Sequence, residues 1–159
     1  MSTSADLGNI TVRKACNEDL EPVYKLSVHF ASEGMLRRRD IFEFADSIAD
    51  FWVATDGQDL IACVGRHIEE SDAGPYAVCY NFCVRSSHQG RGIGGFLLEA
   101  VLDDARRHGA RSVYAASTRT GDWFIRRGFA LTKTGQAPAE WISQLDPTRG
   151  AAIYMRSLR

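Results

Sequence analysis

Between residues 76 and 108 the chain reads strand, glycine loop, helix, and no other stretch restricts the fold as much. Tyr76 to Val84 alternates as a strand, with Val78, Tyr80, Phe82 and Val84 on one face and Ala77, Cys79, Asn81 and Cys83 on the other. Ile93 to His108 reads as an amphipathic helix. Its apolar stripe is Ile93, Phe96, Leu97, Ala100, Val101 and Ala105, Glu99, Asp103, Arg106 and Arg107 lie opposite, and Gly109 is the stop. The two are joined by Arg85-Ser86-Ser87-His88-Gln89-Gly90-Arg91-Gly92-Ile93-Gly94-Gly95. Glycines let a backbone turn tightly and approach a ligand, and a helix start adds unpaired N–H donors and the positive end of its dipole. Together these make an anion cradle, and a pyrophosphate is its natural guest.

Two nucleotide-binding patterns are excluded by spacing and context. A P-loop needs Gly-Lys-Ser/Thr after four intervening residues, which is absent. Gly90-Arg91-Gly92-Ile93-Gly94-Gly95 satisfies G-x-G-x-x-G formally. That motif, however, belongs near the start of a βαβ unit and is answered by an acid about 20 residues on. Here the next strand is followed by Ser117-Thr118-Arg119.

The remaining elements complete a mixed α/β pattern. Ile10 to Lys14 is a half-buried strand, and Asn17 is placed to cap a helix carrying Leu20, Val23, Tyr24, Ser27, Val28 and Phe30, ended by Gly34. A short helix follows over Ile41 to Ile48. Phe51 to Thr55 is a strand, and Asp56-Gly57 turns it into Leu60 to Ile68. Val113 to Ala116 is a strand, Thr120 to Arg127 a short helix, Phe129 to Leu131 a strand, and 150–158 a last strand. The order βααβββαβαββ predicts one mixed sheet of about seven strands with flanking helices, in a single domain over 1–159.

Charge narrows the partner. The total is −1 over 159 residues, which argues against a sequence-blind nucleic-acid binder. Residues 1–84 hold seven basic against fourteen acidic side chains, whereas 85–127 hold eight arginines against four acids. The cationic stretch therefore begins at the glycine loop. No apolar run approaches a membrane span, and polar Met1 to Asp6 lacks the core of a signal peptide, so a cytoplasmic location is expected. Cys16, Cys63, Cys79 and Cys83 show no metal-ligand spacing, and no metal is expected. Cys79 and Cys83 stand about 13 Å apart along one strand, too far for a disulfide, and all four read as small core residues.

The loop in this setting resembles the GNAT superfamily of acyl-CoA-dependent N-acetyltransferases. Gln89-Gly90-Arg91-Gly92-Ile93-Gly94 meets its Q/R-x-x-G-x-G/A hallmark, after a strand ending at Val84 and before a long amphipathic helix. The resemblance runs from Ile10 to Leu158. It implies that backbone N–H groups of Gln89, Gly90, Arg91, Gly92, Ile93 and Gly94 hold the pyrophosphate of acetyl-CoA. It also implies that the strand edge at Phe82, Cys83 and Val84 pairs with the pantetheine arm. Arg119 is a further candidate for the CoA phosphates. The superfamily's tyrosine on the short helix has no match, since Thr120 to Arg127 holds Trp123 and Phe124 but no Tyr.

Within the superfamily, three stretches resemble the acetyltransferase domain of N-acetylglutamate synthase: Gly34 to Arg39, Asp50 to Ala54, and Ser117 to Phe129. A fourth, Asp146 to Ile153, resembles its C-terminal segment, with Ala151 and Ala152 in place of Ser and Lys. The resemblance implies an amino-acid acceptor, glutamate being one candidate, whose carboxylate is held by arginine. Arg38, Arg39 and Arg149 are the candidates, because guanidinium grips carboxylate bidentately. Ser117 is implied as an acid, and Asn81 is paired with it as a candidate catalytic residue. Val78 stands where synthase-like domains often carry a glutamate base.

An α-amine of pKa near 8 is roughly 20% neutral at pH 7.4, and a lysine side chain only about 0.1%. An α-amine therefore needs little help, and direct attack in a ternary complex can do without a strong base. His29, Glu33 and His67 are the nearest alternatives. His108 reads as a helix C-terminal dipole partner and His88 as a solvated loop residue. A peptide or protein N-acetyltransferase and a non-catalytic acyl-CoA sensor are the rival functions. The oligomeric state stays open, a homodimer being allowed.

Overall fold

Twelve regular elements order the computed structural model, which describes residues 7–159; the hexapeptide Met1 to Asp6, read above for a leader, lies outside the described residues. The strands are β1 (Ile10–Lys14), β2 (Phe51–Asp56), β3 (Asp59–Glu69), β4 (Tyr76–Val84), β5 (Ser112–Ser117), β6 (Ala130–Thr132) and β7 (Ala152–Ser157). The helices are α1 (Leu20–Ser32), α2 (Ile41–Ser47), α3 (Ile93–Arg107), α4 (Gly121–Ile125) and α5 (Ala139–Ser143). The seven strands form one sheet in the order β1-β2-β3-β4-β5-β7-β6. The β4–β5 pairing is parallel, with Ala77 opposite Val113 and Val78 opposite Tyr114. Parallel neighbours need a crossover, and the α3 segment supplies it.

The described residues divide into two compact units. The first holds the chain through Arg66 together with Asn81–Asp103. Its core gathers Val23 and Phe30 of α1, Phe44 of α2, and Phe51, Val53 and Ile61 of the sheet. Phe44 meets Tyr24 edge-on at 5.9 Å and Phe51 at 5.8 Å. The second holds His67–Tyr80 and Asp104–Arg159. There Tyr76, Val78, Tyr114, Trp141 and Ile153 pack together, and Phe124 stands 5.2 Å from Phe129 and 6.1 Å from Tyr154, ring centre to ring centre.

Several expectations are corrected. Asn17 does not cap α1; Asn17–Asp19 is a separate 3₁₀ turn. Asp19 instead takes the backbone N–H of Cys16 at 2.8 Å and a bidentate grip from Arg13 at 2.7 and 3.0 Å. The buried side of α3 includes Leu98 and Leu102, while Phe96 is 44% exposed. Covered over a wider arc than one stripe, the helix leaves Phe96 at the margin. The segment around Trp141 forms α5, with Trp141 buried against Tyr114 at 5.5 Å. At five residues, α5 is too short for periodicity to announce it. Cys63, Cys79 and Cys83 are buried, but Cys16 is exposed.

The strand β4 departs from regular geometry at one residue. Asn81 has φ 52°, the one left-handed non-glycine among the described residues, although it lies inside a strand and is 5% exposed. Asparagine tolerates this region better than most residues.

Candidate active site

The first unit contains the glycine loop. Ser86–His88 forms a 3₁₀ turn, and Gln89 N–H donates to Ser86 O at 3.3 Å. Gln89 Nε2 also donates to Val84 O at 2.9 Å, which ties the loop to the end of β4. The backbone N–H of Gln89 is thus committed to the turn, and a run of donors begins one residue later. The N–H groups of Gly90, Arg91, Gly92, Ile93, Gly94 and Gly95 find no partner among the described residues. Gly90 and Gly92 carry φ 79° and 83°, and a Cβ at either would meet nothing within 4 Å. Glycine is required there by backbone conformation, and the space beside it is open. The guanidinium of Arg91 is exposed. Six unspent donors at the head of a fifteen-residue helix fit a polyphosphate group.

His88 is no solvated loop residue. Its Nδ1 lies 2.8 Å from Ser87 Oγ, its Nε2 lies 2.9 Å from Asp56 Oδ2, and its side chain is 15% exposed. The imidazole links the loop to the β2–β3 hairpin, at the aspartate whose Asp56-Gly57 pair makes the turn.

The three consecutive arginines after α1 have three different roles. Asp40 caps α2 by accepting from Glu43 N at 2.9 Å, and Glu43 Oε1 accepts from Asp40 N at 3.2 Å, a reciprocal capping box. Arg37 donates to the other oxygen of Glu43 at 3.1 Å and braces the same turn. Arg38 is exposed, and its guanidinium makes no hydrogen bond or ion pair among the described residues. Arg39 is half-buried and donates from Nη1 to Asn81 Oδ1 at 3.2 Å. Asn81 Nδ2 in turn donates to Ser27 Oγ at 2.7 Å, and Ser27 donates to Val23 O at 2.7 Å. Beneath Asn81, Cys63 Sγ lies 3.7 Å from Cys83 Sγ, and that contact with burial pushes the Cys83 thiol well above its usual range. A thiol held protonated is a poor nucleophile, so Cys83 serves packing.

The second unit contains the other candidates. Ser117 ends β5; its Oγ accepts from Thr120 N at 2.9 Å and lies 2.7 Å from Thr120 Oγ1. Arg119, in the same turn, is exposed and has no side-chain partner among the described residues. Arg149 lies in a 3₁₀ turn capped by Asp146, which accepts from Thr148 N at 2.9 Å, and left-handed Gly150 follows. The Arg149 guanidinium makes no hydrogen bond or ion pair among the described residues. Val78 lies in the aromatic cluster of Tyr76, Tyr114 and Trp141, so this position offers no base. Burial foremost, with Glu69 and Glu140, raises the Tyr76 phenol above its ordinary range.

One feature here has no sequence signal. Tyr154 of β7 is 9% exposed, stacks on Phe124 at 19°, and lays its hydroxyl against Gly121; a Cβ on Gly121 would lie 2.0 Å from that oxygen. The remaining histidines have local partners. His29 faces Glu33 at 3.7 Å, His67 faces Glu69 at 2.5 Å, and His108 Nδ1 lies 2.8 Å from Asp104 O at the end of α3. Among the described residues no group of three His, Cys, Asp or Glu is placed to hold a metal ion, and no helix is long and apolar enough to cross a membrane.

Comparison with known proteins agrees with this geometry. Residues 13–129 match the model of the Acetyltransferase (GNAT) family. An amino-acid acetyltransferase of Pseudomonas fluorescens (strain Pf0-1) is 32% identical over 148 residues, covering 92% of this chain. The chain spans 34% of that relative's length. The fold is similar to that of a part of N-acetylglutamate synthase from Neisseria gonorrhoeae, solved with coenzyme A and N-acetyl-glutamate: TM-score 0.85, 24% identity, 98% of this chain and 36% of that one. A Mycobacterium tuberculosis protein, Rv2747, solved with CoA, superposes with TM-score 0.78 at 20% identity over 94% of this chain and 99% of its own.

Proposed function

The chain belongs to the Acetyltransferase (GNAT) family, and from that premise we propose that it moves the acetyl group of acetyl-CoA to the amine of a small amino acid. The observation that carries the reading is the run of six unspent N–H donors, Gly90 to Gly95, at the head of α3. In this reading those groups bind the pyrophosphate, the edge of β4 at Phe82 and Cys83 receives the pantetheine arm, and Arg119 meets a CoA phosphate. Val84 offers less there, because its carbonyl already accepts from Gln89.

The acceptor is an amino acid whose carboxylate is taken by arginine, with glutamate a candidate. Arg39 and Arg149 are the proposed ligands and Arg38 a peripheral one. The neutral amine attacks the thioester carbonyl in a ternary complex, a tetrahedral adduct forms, and the C–S bond breaks to leave CoA thiolate. The amine proton passes to water, Ser117 is the proposed hydroxyl donor to the sulfur, and water returns a proton to Ser117 Oγ, so that amine and thioester become amide and CoA thiol. With a valine in an apolar nest at position 78, the reading depends on an acceptor already part-neutral at physiological pH, which an α-amine is.

Purified protein with acetyl-CoA and a panel of amino acids tests this, with acetylated product read by mass. Acetylation of one or more carboxylate-bearing amino acids is expected. No product from amino acids, polyamines and peptides alike overturns the reading.

A further inference from the structure

We propose that Ser87, His88 and Asp56 form a nucleophilic relay, in which Ser87 takes the acyl group of small activated esters and passes it to water. The loop ahead of Gly90 then carries a second, hydrolytic site that uses neither CoA nor an amine. Ser87 Oγ lies 2.8 Å from His88 Nδ1, and His88 Nε2 lies 2.9 Å from Asp56 Oδ2. A hydroxyl, a ring that can take its proton and a carboxylate that orients the ring are the parts a serine nucleophile needs. Relative to the serine-protease arrangement the two ring nitrogens exchange places, since here Nδ1 faces the hydroxyl. Such a relay is defined by geometry and roles, and either nitrogen of a neutral imidazole can be the base.

The hydrogen bonds fix the tautomer. A carboxylate only accepts, so Nε2 of the neutral ring carries the hydrogen and Nδ1 keeps its lone pair for the Ser87 proton. His88 and Asp56 have no other side-chain hydrogen bond among the described residues, so nothing competes for this alignment. The imidazole is 15% exposed and Asp56 36%, whereas Ser87 is open to solvent and within reach of an ester. Ser86 supplies an internal control. It is also exposed, and its Oγ makes no hydrogen bond among the described residues, so it is the same alcohol without a base.

The reaction balances without a cofactor. Ser87 Oγ bonds to the acyl carbon, its proton goes to His88 Nδ1, and the ester C–O bond breaks to release the alcohol, which takes that proton. Water then gives a proton to His88 and bonds to the acyl carbon. The Ser87 ester breaks, the carboxylic acid leaves, and the proton returns to Ser87 Oγ.

The probe is p-nitrophenyl acetate, used in a Cys16→Ser background because the exposed Cys16 thiol is a competing nucleophile. Release of p-nitrophenol above the buffer rate is expected, with an acetyl ester on Ser87 and none on Ser86 when acid-quenched protein is mapped by mass. Ser87→Ala should remove that ester and most of the release. His88→Gln should slow acylation of Ser87 about a hundredfold, the usual worth of a positioned base. Asp56→Asn keeps an Asx-Gly turn, but its amide can donate to Nε2 and so place the ring hydrogen on Nδ1. It should slow acylation about tenfold or more, and it decides the matter if His88→Gln does not fold. No ester on Ser87, equal labelling of Ser86 and Ser87, or acylation at the wild-type rate in Asp56→Asn overturns the proposal. The assay contains no CoA and no amine, so failure here leaves the acetyltransferase reading standing, and failure of that reading leaves this one standing.

Discussion

His88 Nε2 lies 2.9 Å from Asp56 Oδ2, which fastens the loop that precedes Gly90 to the hairpin between β2 and β3. The link spans 32 residues of chain, and its geometry is completed by Ser87 Oγ on the other ring nitrogen. If the glycine loop binds acetyl-CoA, this fastening pre-orders it. His88→Ala should raise KM for acetyl-CoA roughly threefold to tenfold, since ordering lost in the free loop is paid again on binding. KM for the acceptor should stay within about twofold. Steady-state kinetics with each substrate varied in turn checks it, and an equal rise in both values counts against the loop assignment.

Asp19 gives a pH-dependent stability. Its hydrogen bonds from Arg13 hold the carboxyl below the usual range, with the Cys16 N–H adding to this against the opposing effect of burial. A carboxylate with a lowered folded pKa contributes stability that is complete above its unfolded pKa of about 4 and is lost as pH falls through the folded value. Asp19→Asn should therefore cost about 2 kcal/mol at pH 7, typical of a hydrogen-bonded charge. The gap between variant and wild type should close below about pH 4. Urea unfolding at pH 7 and pH 3 reads both limbs. A gap that persists unchanged at pH 3 would show that charge is not the cause.

The cysteines predict a thiol count. Cys16 is exposed, whereas Cys63, Cys79 and Cys83 are buried, and the Cys83 thiol is held protonated. A thiol reagent should modify one residue in the folded protein, and peptide mapping should place it at Cys16. Denaturant should release the other three. Fast modification at Cys83 in the fold would contradict the packing beside Cys63.

Gly121 and Tyr154 form a steric pair. Gly121→Ala places a methyl 2.0 Å from the Tyr154 hydroxyl and 2.7 Å from the ring carbon that bears it. Overpacking of this kind typically costs 1–3 kcal/mol, and Gly121→Ala should lose about 2 kcal/mol. Tyr154→Phe removes the oxygen, so the double variant should recover part of the loss, the ring carbon remaining close. A double-mutant cycle from denaturant unfolding measures the coupling. Additive effects would mean that the two residues do not meet.

The parts legible from sequence are those whose cause is local. Glycines at 90 and 92 announce a left-handed turn because no other residue adopts φ near 80° at low cost. The 3.6 period of α3 and the Asp56-Gly57 turn announce themselves in the same way. What stayed hidden depends on residues far apart in the chain. His88 reads as solvated until Asp56 is beside it, and α5 is too short to show a period. Asn81 reads as one polar residue on an apolar strand, and its left-handed backbone has no marker in the neighbouring residues.

The amino-acid sequence by itself determined the order of the strands and of every helix but α5, the glycine loop, and the stretch where positive charge collects. Only the tertiary structure decided which of Arg37, Arg38 and Arg39 is aimed at what. The three are adjacent and chemically identical, so nothing local separates them. Their partners do, since Arg37 is spent on Glu43 in the same turn, and Arg39 reaches an amide 42 residues away. An amide buried at that site accepts from a guanidinium because its own N–H is already given to Ser27, and that is fixed by packing between α1 and β4.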